Sequence, residues 1–220
     1  MTQAELLVDG KKLKRADDPS YVARGPMSFE EYLQWEYEGG LTEWVDGEVF
    51  VYMTASNRHQ KILDFLYRLI GNWAELTGAG EVRSAPYPMQ ARAGGSGREP
   101  DIVFVRREHL DRFGDQHLIG PPDLAVEIVS PDSVARDRVT KLREYAQAGI
   151  PEYWIVDARA GQNRADFHTL SADGSYVAVD LAEGVFRSTV LEGFWLRPEW
   201  LWEPEPKPMA ALREIMGGVF

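Results

Sequence analysis

The sequence predicts an α/β (mixed α+β) protein, in which a mixed β-sheet is flanked by helices. Apolar, β-branched runs typical of buried strands recur through the middle of the chain. One longer segment repeats its apolar residues at the three-and-four spacing of a helix. In chain order the elements read as hairpin, helix, strand, strand, helix, strand and a closing meander, and this alternation indicates a mixed sheet.

Composition limits the classes of protein to consider. The chain has 220 residues, of which 44% are hydrophobic and 27% charged, as in a globular protein with a sizeable core. The absence of cysteine excludes disulfides, thiolate zinc sites and cysteine nucleophiles, and it suits a reducing cytoplasm. No run of 18 apolar residues and no apolar N-terminal segment is found, so we expect a cytoplasmic protein without a membrane partner.

Net charge bears on partners. The formal charge of -11 argues against strong non-specific binding to nucleic acid, because that binding comes mainly from lysine and arginine neutralising phosphates. A local basic groove remains compatible with this total.

Three parts are expected along the chain. Residues 1–26 are polar and basic with turn signals, and we interpret them as a mobile leader. Residues 27–200 form one domain. Residues 201–220 form a tail, in which three prolines precede a short helical pattern.

The N-terminal part of the domain predicts a short helix and a hairpin. Ser28 with Glu31 forms a capping-box pattern, so a helix starts there and runs to about Glu38. Residues 41–53 are rich in β-branched and aromatic residues and are interrupted only by Asp46-Gly47, the dipeptide that favours a tight hairpin turn.

The remaining elements follow from periodicity and breakers. Residues 56–77 form a long amphipathic helix that packs on the sheet. A second helix, residues 134–148, ends at Gly149 with Pro151 beyond it. Residues 81–92 form an extended stretch, and residues 107–113 a polar helix-like stretch. The apolar strands are residues 102–105, 123–129 and 152–157, and a closing meander follows at residues 166–170 and 176–181.

Two carboxylates occur in apolar strands. Glu127 is the one charged residue among the apolar residues 124–129 of a predicted strand, and Asp101 stands immediately before another apolar strand. A buried carboxylate needs a cation, a hydrogen-bond network or a metal ion, because an unpaired buried charge is costly. If the two strands pair, the carboxylates converge, and two hard oxygen ligands suit Mg²⁺ or Mn²⁺.

A lysine follows on the next helix. Lys141 lies four residues after Asp137, so both occupy one face of that helix. The ammonium group can position a water molecule or offset phosphate charge. The same spacing is also that of an ordinary surface ion pair between Asp137 and Lys141, and on spacing alone we favour that interpretation.

A set of residues spread along the chain forms a recognisable pattern. These residues are Glu43, Asp46-Gly47-Glu48, Met53, His59, Pro100-Asp101, Glu127-Ile128-Val129-Ser130-Pro131, Asp137, Lys141, Tyr145 and residues 149–157. The pattern resembles the Uma2 family of restriction-endonuclease-like proteins over roughly residues 28–196, and the resemblance is most specific over residues 127–157. The resemblance implies the PD-(D/E)XK nuclease fold, a mixed sheet flanked by helices.

The resemblance also implies roles for individual residues. Asp101 and Glu127 would bind the metal, with the Ile128 carbonyl as a further ligand. Val129 stands where such nucleases usually carry lysine, and Lys141 from the following helix is expected to supply the missing ammonium group. Glu43 is similar to a further acid near such sites.

Other polar residues receive expectations with open alternatives. His59 would contact phosphate or carry a proton, or serve a structural role at the helix start. Asp137 would orient Lys141, or simply pair with it. Arg136 and Arg138, with Arg143 nearby, would form a basic rim that binds substrate, or a solvated helix face.

Aromatic residues are assigned to the core. Tyr145, Tyr153 and Trp154 lie on a helix and an apolar strand, where packing is the default, so base stacking is not expected. The loop of residues 94–97 lacks the lysine of a phosphate-binding loop and would at most gate substrate entry.

Two functions follow. The leading hypothesis is a Mg²⁺- or Mn²⁺-dependent endonuclease that hydrolyses phosphodiester bonds in nucleic acid, with DNA favoured over RNA because of the resemblance. The alternative is a nuclease-like binding or regulatory module without activity. Such a module could form a homodimer through Trp195, Trp200, Trp202 and the tail. Convergence of Asp101, Glu127 and Lys141 would support the first.

Overall fold

A computed structural model describes residues 5–8, 11–15, 21–35, 41–52, 55–131 and 133–218. Met53, which contributes to the resemblance, lies outside the described residues. The helices are α1 (Phe29–Leu33), α2 (Asn57–Thr77), α3 (Leu142–Ala148) and α4 (Pro208–Ile215). The strands are β1 (Glu5–Val8), β2 (Lys11–Arg15), β3 (Ala23–Pro26), β4 (Thr42–Val45), β5 (Glu48–Val51), β6 (Gly80–Ser84), β7 (Met89–Gln90), β8 (Ile102–Arg106), β9 (Leu118–Ile119), β10 (Leu124–Val129), β11 (Glu152–Asp157), β12 (Arg164–Leu170), β13 (Tyr176–Ala178), β14 (Phe186–Arg187) and β15 (Trp195–Leu196).

A mixed sheet of six strands forms the centre, in the order β13-β12-β11-β10-β8-β6. Strands β10 and β11 are parallel, because α3 and the segment before it connect them by a crossover. The other neighbours pair antiparallel. The expected α/β class with a mixed sheet and flanking helices is confirmed.

One face of the sheet packs against α2. The buried residues Ile62, Leu66, Leu69 and Trp73 of α2 recur at helical spacing and pack against the strand residues on that side of the sheet. Burying a side chain of this size stabilises the fold by roughly 1.5–3 kcal/mol. The predicted long helix is confirmed, and α4 also packs against it.

The opposite face of the sheet packs against α3. Leu124, Val126 and Ile128 of β10 lie in the core with α2, whereas Ala125 and Val129 lie in a second apolar cluster with residues of α3. Since side chains alternate along a strand, Glu127 points to the α3 side.

A second sheet, β1-β2-β3-β5-β4, comes from the N-terminal part of the chain. The predicted hairpin is confirmed as β4 and β5, and its turn residues Asp46 and Gly47 have φ values of 50° and 83°. Three strands come from the segment assigned to the leader, and β3 pairs with β5 over four residues. Apolar periodicity does not predict β2 and β3, because their buried apolar residues Leu13 and Ala23 stand among charged residues, glycine and proline.

Two helices differ from expectation in detail. The capping box of Ser28 and Glu31 is confirmed, but α1 ends at Leu33, and residues 36–40 lie outside the described part. The helix predicted over residues 134–148 begins with a π-helical segment, Arg136–Lys141, that continues into α3. Residues 107–112 form a 3-10 helix.

No helix in the described ranges is both long enough and apolar enough to cross a bilayer.

Candidate active site

Asp101 and Glu127 lie side by side at one edge of the central sheet. Strands β8 and β10 pair antiparallel up to Val126 opposite Ile102, and one further step along the same register places Glu127 opposite Asp101. Asp101 Oδ2 accepts a hydrogen bond of 2.6 Å from the Ile128 backbone N–H. The two carboxylates are 5% and 4% exposed.

Lys141 reaches both the sheet and the N-terminal hairpin. Its Nζ lies 2.9 Å from Glu127 Oε1 and 2.7 Å from Glu43 Oε1, and it is 3.7 Å from Asp137 Oδ1. Lys141 is 2% exposed, so its charge is held among carboxylates rather than in solvent. The interpretation of Lys141 as part of a surface pair is therefore wrong.

Glu43 on β4 is buried between cations. Its Oε2 lies 2.9 Å from Arg98 Nη1 and accepts a hydrogen bond of 2.8 Å from the Tyr52 hydroxyl. Burial raises the pKa of Glu43, but the charges of Lys141 and Arg98, with a smaller contribution from Arg136, outweigh burial and hold it well below its ordinary value. The ionised form of Glu43 is therefore favoured beside Lys141, and the exposed-hairpin alternative is excluded because Glu43 is buried.

Glu127 has the opposite electrostatic character. Burial raises the pKa of Glu127 to about 8 even though Lys141 lowers it, and the negative charges of Asp137 and Asp101 add to the increase. Lys141 itself has a raised pKa, because Glu127 and Glu43 more than offset its burial. The site thus combines a fixed cation with a carboxyl group that readily accepts a proton or a further cation.

Tyr145 and Arg98 contact the acids of the site, and these contacts were not predicted from the sequence. The Tyr145 hydroxyl donates a hydrogen bond of 2.6 Å to Glu127 Oε1, although the ring is buried in the core as predicted. Arg98 links Glu43 on β4 to Glu144 on α3. An arginine in a loop gives no sequence signal for this, whereas a tyrosine four residues after Lys141 on the same helix does.

His59 lies where α2 begins. Its Nε2 is 3.2 Å from Asp101 Oδ1, and its Nδ1 is buried without a hydrogen-bond partner in the described part of the chain. Burial lowers the pKa of His59, but the hydrogen bond and charge of Asp101 outweigh burial and raise it. The backbone of Ile128 acts in the same direction, so that peptide group also lies beside the ring.

The start of the π-helical segment leaves polar atoms open. Arg136 stacks over the Tyr52 ring at 4.1 Å, and its Nε lies 3.8 Å from Asp137 Oδ1. Neither Arg136 Nε nor Asp137 Oδ1 has a hydrogen-bond partner within the described ranges. Burial raises the pKa of Asp137 against the charges of Lys141 and Arg136. Buried polar atoms left open in this way are typical of a site that binds a ligand.

These side chains line one pocket of about 290 Å³, which we call the acidic pocket. His59, Ile128, Arg136 and Lys141 line this pocket. Its five acids are Glu43, Glu99, Asp101, Glu127 and Asp137.

Arg138 is the one predicted site residue that the structure does not bring to the pocket. Its guanidinium lies 2.6 Å from Asp166 Oδ2 and 3.4 Å from Asp157 Oδ2, on the side of β11 and β12. Neighbouring helical residues point roughly a quarter turn apart, so Arg138 cannot share the direction of Asp137.

The donor atoms of the acidic pocket suit a divalent ion. Asp101, Glu127 and the Ile128 carbonyl offer hard oxygen ligands, and burial, with a smaller contribution from the neighbouring acids, raises the pKa of Glu127. In the described part of the chain, no three His, Asp or Glu side chains form a metal-binding cluster. Two carboxylates would leave positions for water and phosphate, as Mg²⁺ prefers.

Comparisons with known proteins identify the family of this chain. The model of the Uma2 family, described as "Putative restriction endonuclease", matches residues 29–199. An uncharacterised protein of Synechocystis sp., slr1290, is 30% identical over 156 residues, which is 70% of this chain and 80% of that protein.

The fold also matches a solved structure, "a putative nuclease belonging to DUF820" from Anabaena variabilis. The TM-score is 0.65 at 14% identity, and the match covers 80% of this chain and 98% of that one. This likeness establishes a nuclease-like fold. Since the family model spans most of the chain, the protein belongs to the Uma2 family.

Proposed function

We propose that the protein is a metal-dependent nuclease that hydrolyses phosphodiester bonds in nucleic acid, with DNA as the favoured substrate. The observation that carries the proposal is the inward position of Lys141, 2.9 Å from Glu127 at the sheet edge where Asp101 also lies. A buried lysine among acids is the arrangement expected where a phosphate and an attacking water must be held together. The family description favours DNA.

Asp101, Glu127 and the Ile128 carbonyl would hold the divalent ion. When bound, such an ion lowers the pKa of a water molecule and stabilises the charge that develops on the phosphate. Lys141 remains protonated because its pKa is raised, so it can donate hydrogen bonds to the attacking water or to a phosphate oxygen. Arg136, with its open Nε, offers a second donor to the phosphate.

Glu43 and His59 complete the division of roles. Glu43 stays ionised and holds the Lys141 ammonium group in the pocket. His59 stays hydrogen-bonded to Asp101 and fixes the orientation of that carboxylate. Its open Nδ1 can pass a proton to or from the pocket.

The test combines metal binding with cleavage. Calorimetric titration of Mg²⁺ and Mn²⁺ into the wild type is expected to show binding, and Asp101→Asn and Glu127→Gln are expected to abolish it. Cleavage of single- and double-stranded DNA should disappear in the same two variants. Lys141→Met should retain metal binding and lose cleavage by about 100-fold or more, because it removes charge stabilisation without removing a ligand.

Matched controls are exposed acids outside the pocket. Asp64→Asn on α2 and Glu192→Gln in the loop before β15 remove the same charges and should change neither readout. An absence of metal binding at millimolar concentrations together with an absence of cleavage would contradict the proposal and favour a nuclease-like module without activity.

A further inference from the structure

A second pocket, of about 310 Å³, lies beside the acidic pocket and has the opposite character. We call it the basic pocket and define it by Arg92, Gly94, Gly95, Arg98, Arg143 and Glu144. Three arginines and two acids, Glu144 and Asp46, line it. The pocket therefore has a local excess of positive charge, although the net charge of the whole chain is -11.

Two of the three arginines are available to a ligand. Arg92 and Arg143 are exposed, and within the described ranges their side chains make no hydrogen bond or ion pair. Arg98 is different, since it is 5% exposed and binds Glu43 and both oxygens of Glu144. The pocket therefore has a fixed buried cation at its base and two unpaired cations at its rim.

The loop that carries Arg92 contains a tight turn. Gly95 N–H donates to the Arg92 carbonyl at 2.8 Å, which closes a β-turn, and Gly94 has a φ of 70°, as the third position of a type II turn requires. A Cβ at Gly95 would lie 2.9 Å from the Arg92 carbonyl oxygen. Glycine is thus needed for the turn that holds Arg92 at the rim.

The two pockets are connected through shared side chains. Tyr145 lines the basic pocket, while its hydroxyl donates to Glu127 in the acidic pocket. Arg98 lines the basic pocket as well, while its Nη1 binds Glu43 in the acidic pocket. The two pockets are therefore separated by no more than the Arg98 and Tyr145 side chains.

We infer that the basic pocket binds a backbone phosphate of the nucleic-acid strand whose scissile phosphate occupies the acidic pocket, with Arg92 and Arg143 as its ligands. This inference rests on the proposed function. It supplies the local basic groove that the net charge of the chain otherwise lacks, because positive charge close to a strand is what gives affinity for its phosphates.

Binding is measured separately from cleavage. The probe is a fluorescein-labelled single-stranded DNA of about 20 nucleotides, and its anisotropy is followed in EDTA across a salt series. Arg92→Gln and Arg143→Gln should each weaken binding by roughly 3-fold at low salt, and the double variant by roughly 10-fold. Each substitution should also reduce the slope of log affinity against log salt by about 0.7.

The matched control is Arg187→Gln, since Arg187 is exposed on β14 at the opposite face of the sheet, and it should bind as the wild type does. A double variant that binds the strand with the affinity and salt slope of the wild type would overturn the inference, as would a wild type that binds no strand. Calorimetric titration with inorganic phosphate shows whether the basic pocket binds free phosphate instead of a backbone phosphate. Uptake of free phosphate without strand binding would also overturn it.

Failure of the proposed function gives a different pattern. Arginine-dependent strand binding without metal binding or cleavage would support the basic pocket and contradict the nuclease. Metal-dependent cleavage with unchanged strand binding in the double variant would support the nuclease and contradict the basic pocket.

Discussion

At the residue scale, Lys141 and the acids around it decide the character of the site. Glu43 and Glu127 both contact the same ammonium group, yet one has a lowered and the other a raised pKa. The difference arises because Glu43 also contacts Arg98, whereas Glu127 faces Asp101 and Asp137. One lysine therefore supports two carboxyl groups with different tasks.

Lys141→Met is expected to lower the free energy of unfolding by about 3 kcal/mol, because it leaves buried carboxyl groups without their cation. Adding Glu43→Gln should recover part of this loss, since Glu43 is the ionised carboxylate that loses its contact with Lys141. Urea denaturation at neutral pH measures both. Lys207→Met, at an exposed lysine, is the control, and an equal loss there would contradict the explanation.

His168 provides a pH-dependent test. Burial lowers the pKa of His168 below its ordinary 6.5, although Asp166 opposes this, and its Nδ1 has no hydrogen-bond partner among the described residues. The unfolded chain therefore binds the proton more readily, and the stability that His168 contributes is present above about pH 6.5 and lost as the pH falls through the folded pKa. His168→Gln should make the free energy of unfolding fall less between about pH 7 and about pH 5.5. Equal slopes for the two proteins in urea denaturation would contradict this.

At the element scale, strand alternation and helix caps position the site. Alternation along β10 sends Ile128 to the α2 side and Glu127 to the α3 side. The crossover after β10 then brings Lys141 back over the same strand. α1 holds the N-terminal sheet in place through Tyr32, whose hydroxyl donates to Glu99 at 2.6 Å.

Ser28→Ala should lower the free energy of unfolding by about 1 kcal/mol, because Ser28 accepts from the Glu31 N–H and Glu31 accepts in return at the start of α1. The midpoint of urea denaturation should fall while its slope stays constant. Ser96→Ala is the control, since Ser96 makes no side-chain hydrogen bond within the described ranges. A loss of similar size there would show that the cap is not the cause.

At the scale of the whole molecule, the site lies where the N-terminal sheet meets the central sheet. Glu43 comes from the first, Asp101 and Glu127 from the second, and Arg98 binds Glu43 across 55 residues of sequence. The acidic and basic pockets lie on either side of Arg98 and Tyr145. Charge is thus separated within a chain whose total is strongly acidic.

Arg98→Met should lower the free energy of unfolding by about 3 kcal/mol, because the buried Glu43 and the half-buried Glu144 both lose the cation that they share. The loss should be smaller when Glu144→Gln is combined with it. Thermal unfolding of the single and double variants measures the coupling. Arg187→Met serves as the control, and strict additivity of the two changes would contradict a linking role for Arg98.

Local sequence patterns determined most of the elements of this protein. Apolar periodicity predicted α2, β8, β10 and β11, and Asp46-Gly47 predicted the hairpin, because each depends on residues close together in the chain. A carboxylate in an apolar strand drew attention to Glu127 for the same reason. The contact of Asp101 with the Glu127 strand could be expected as soon as the two strands were assumed to pair.

Only the tertiary structure decided how these residues meet. The Arg98 contact with Glu43, the Tyr145 contact with Glu127 and the outward direction of Arg138 depend on segments far apart in sequence or on helical phase. Strand β3 pairs with β5, and β2 and β1 follow it in the same sheet, so the position of these strands depends on a partner further along the chain. Periodicity records which face of an element is buried, and it carries no record of which distant side chain lies opposite.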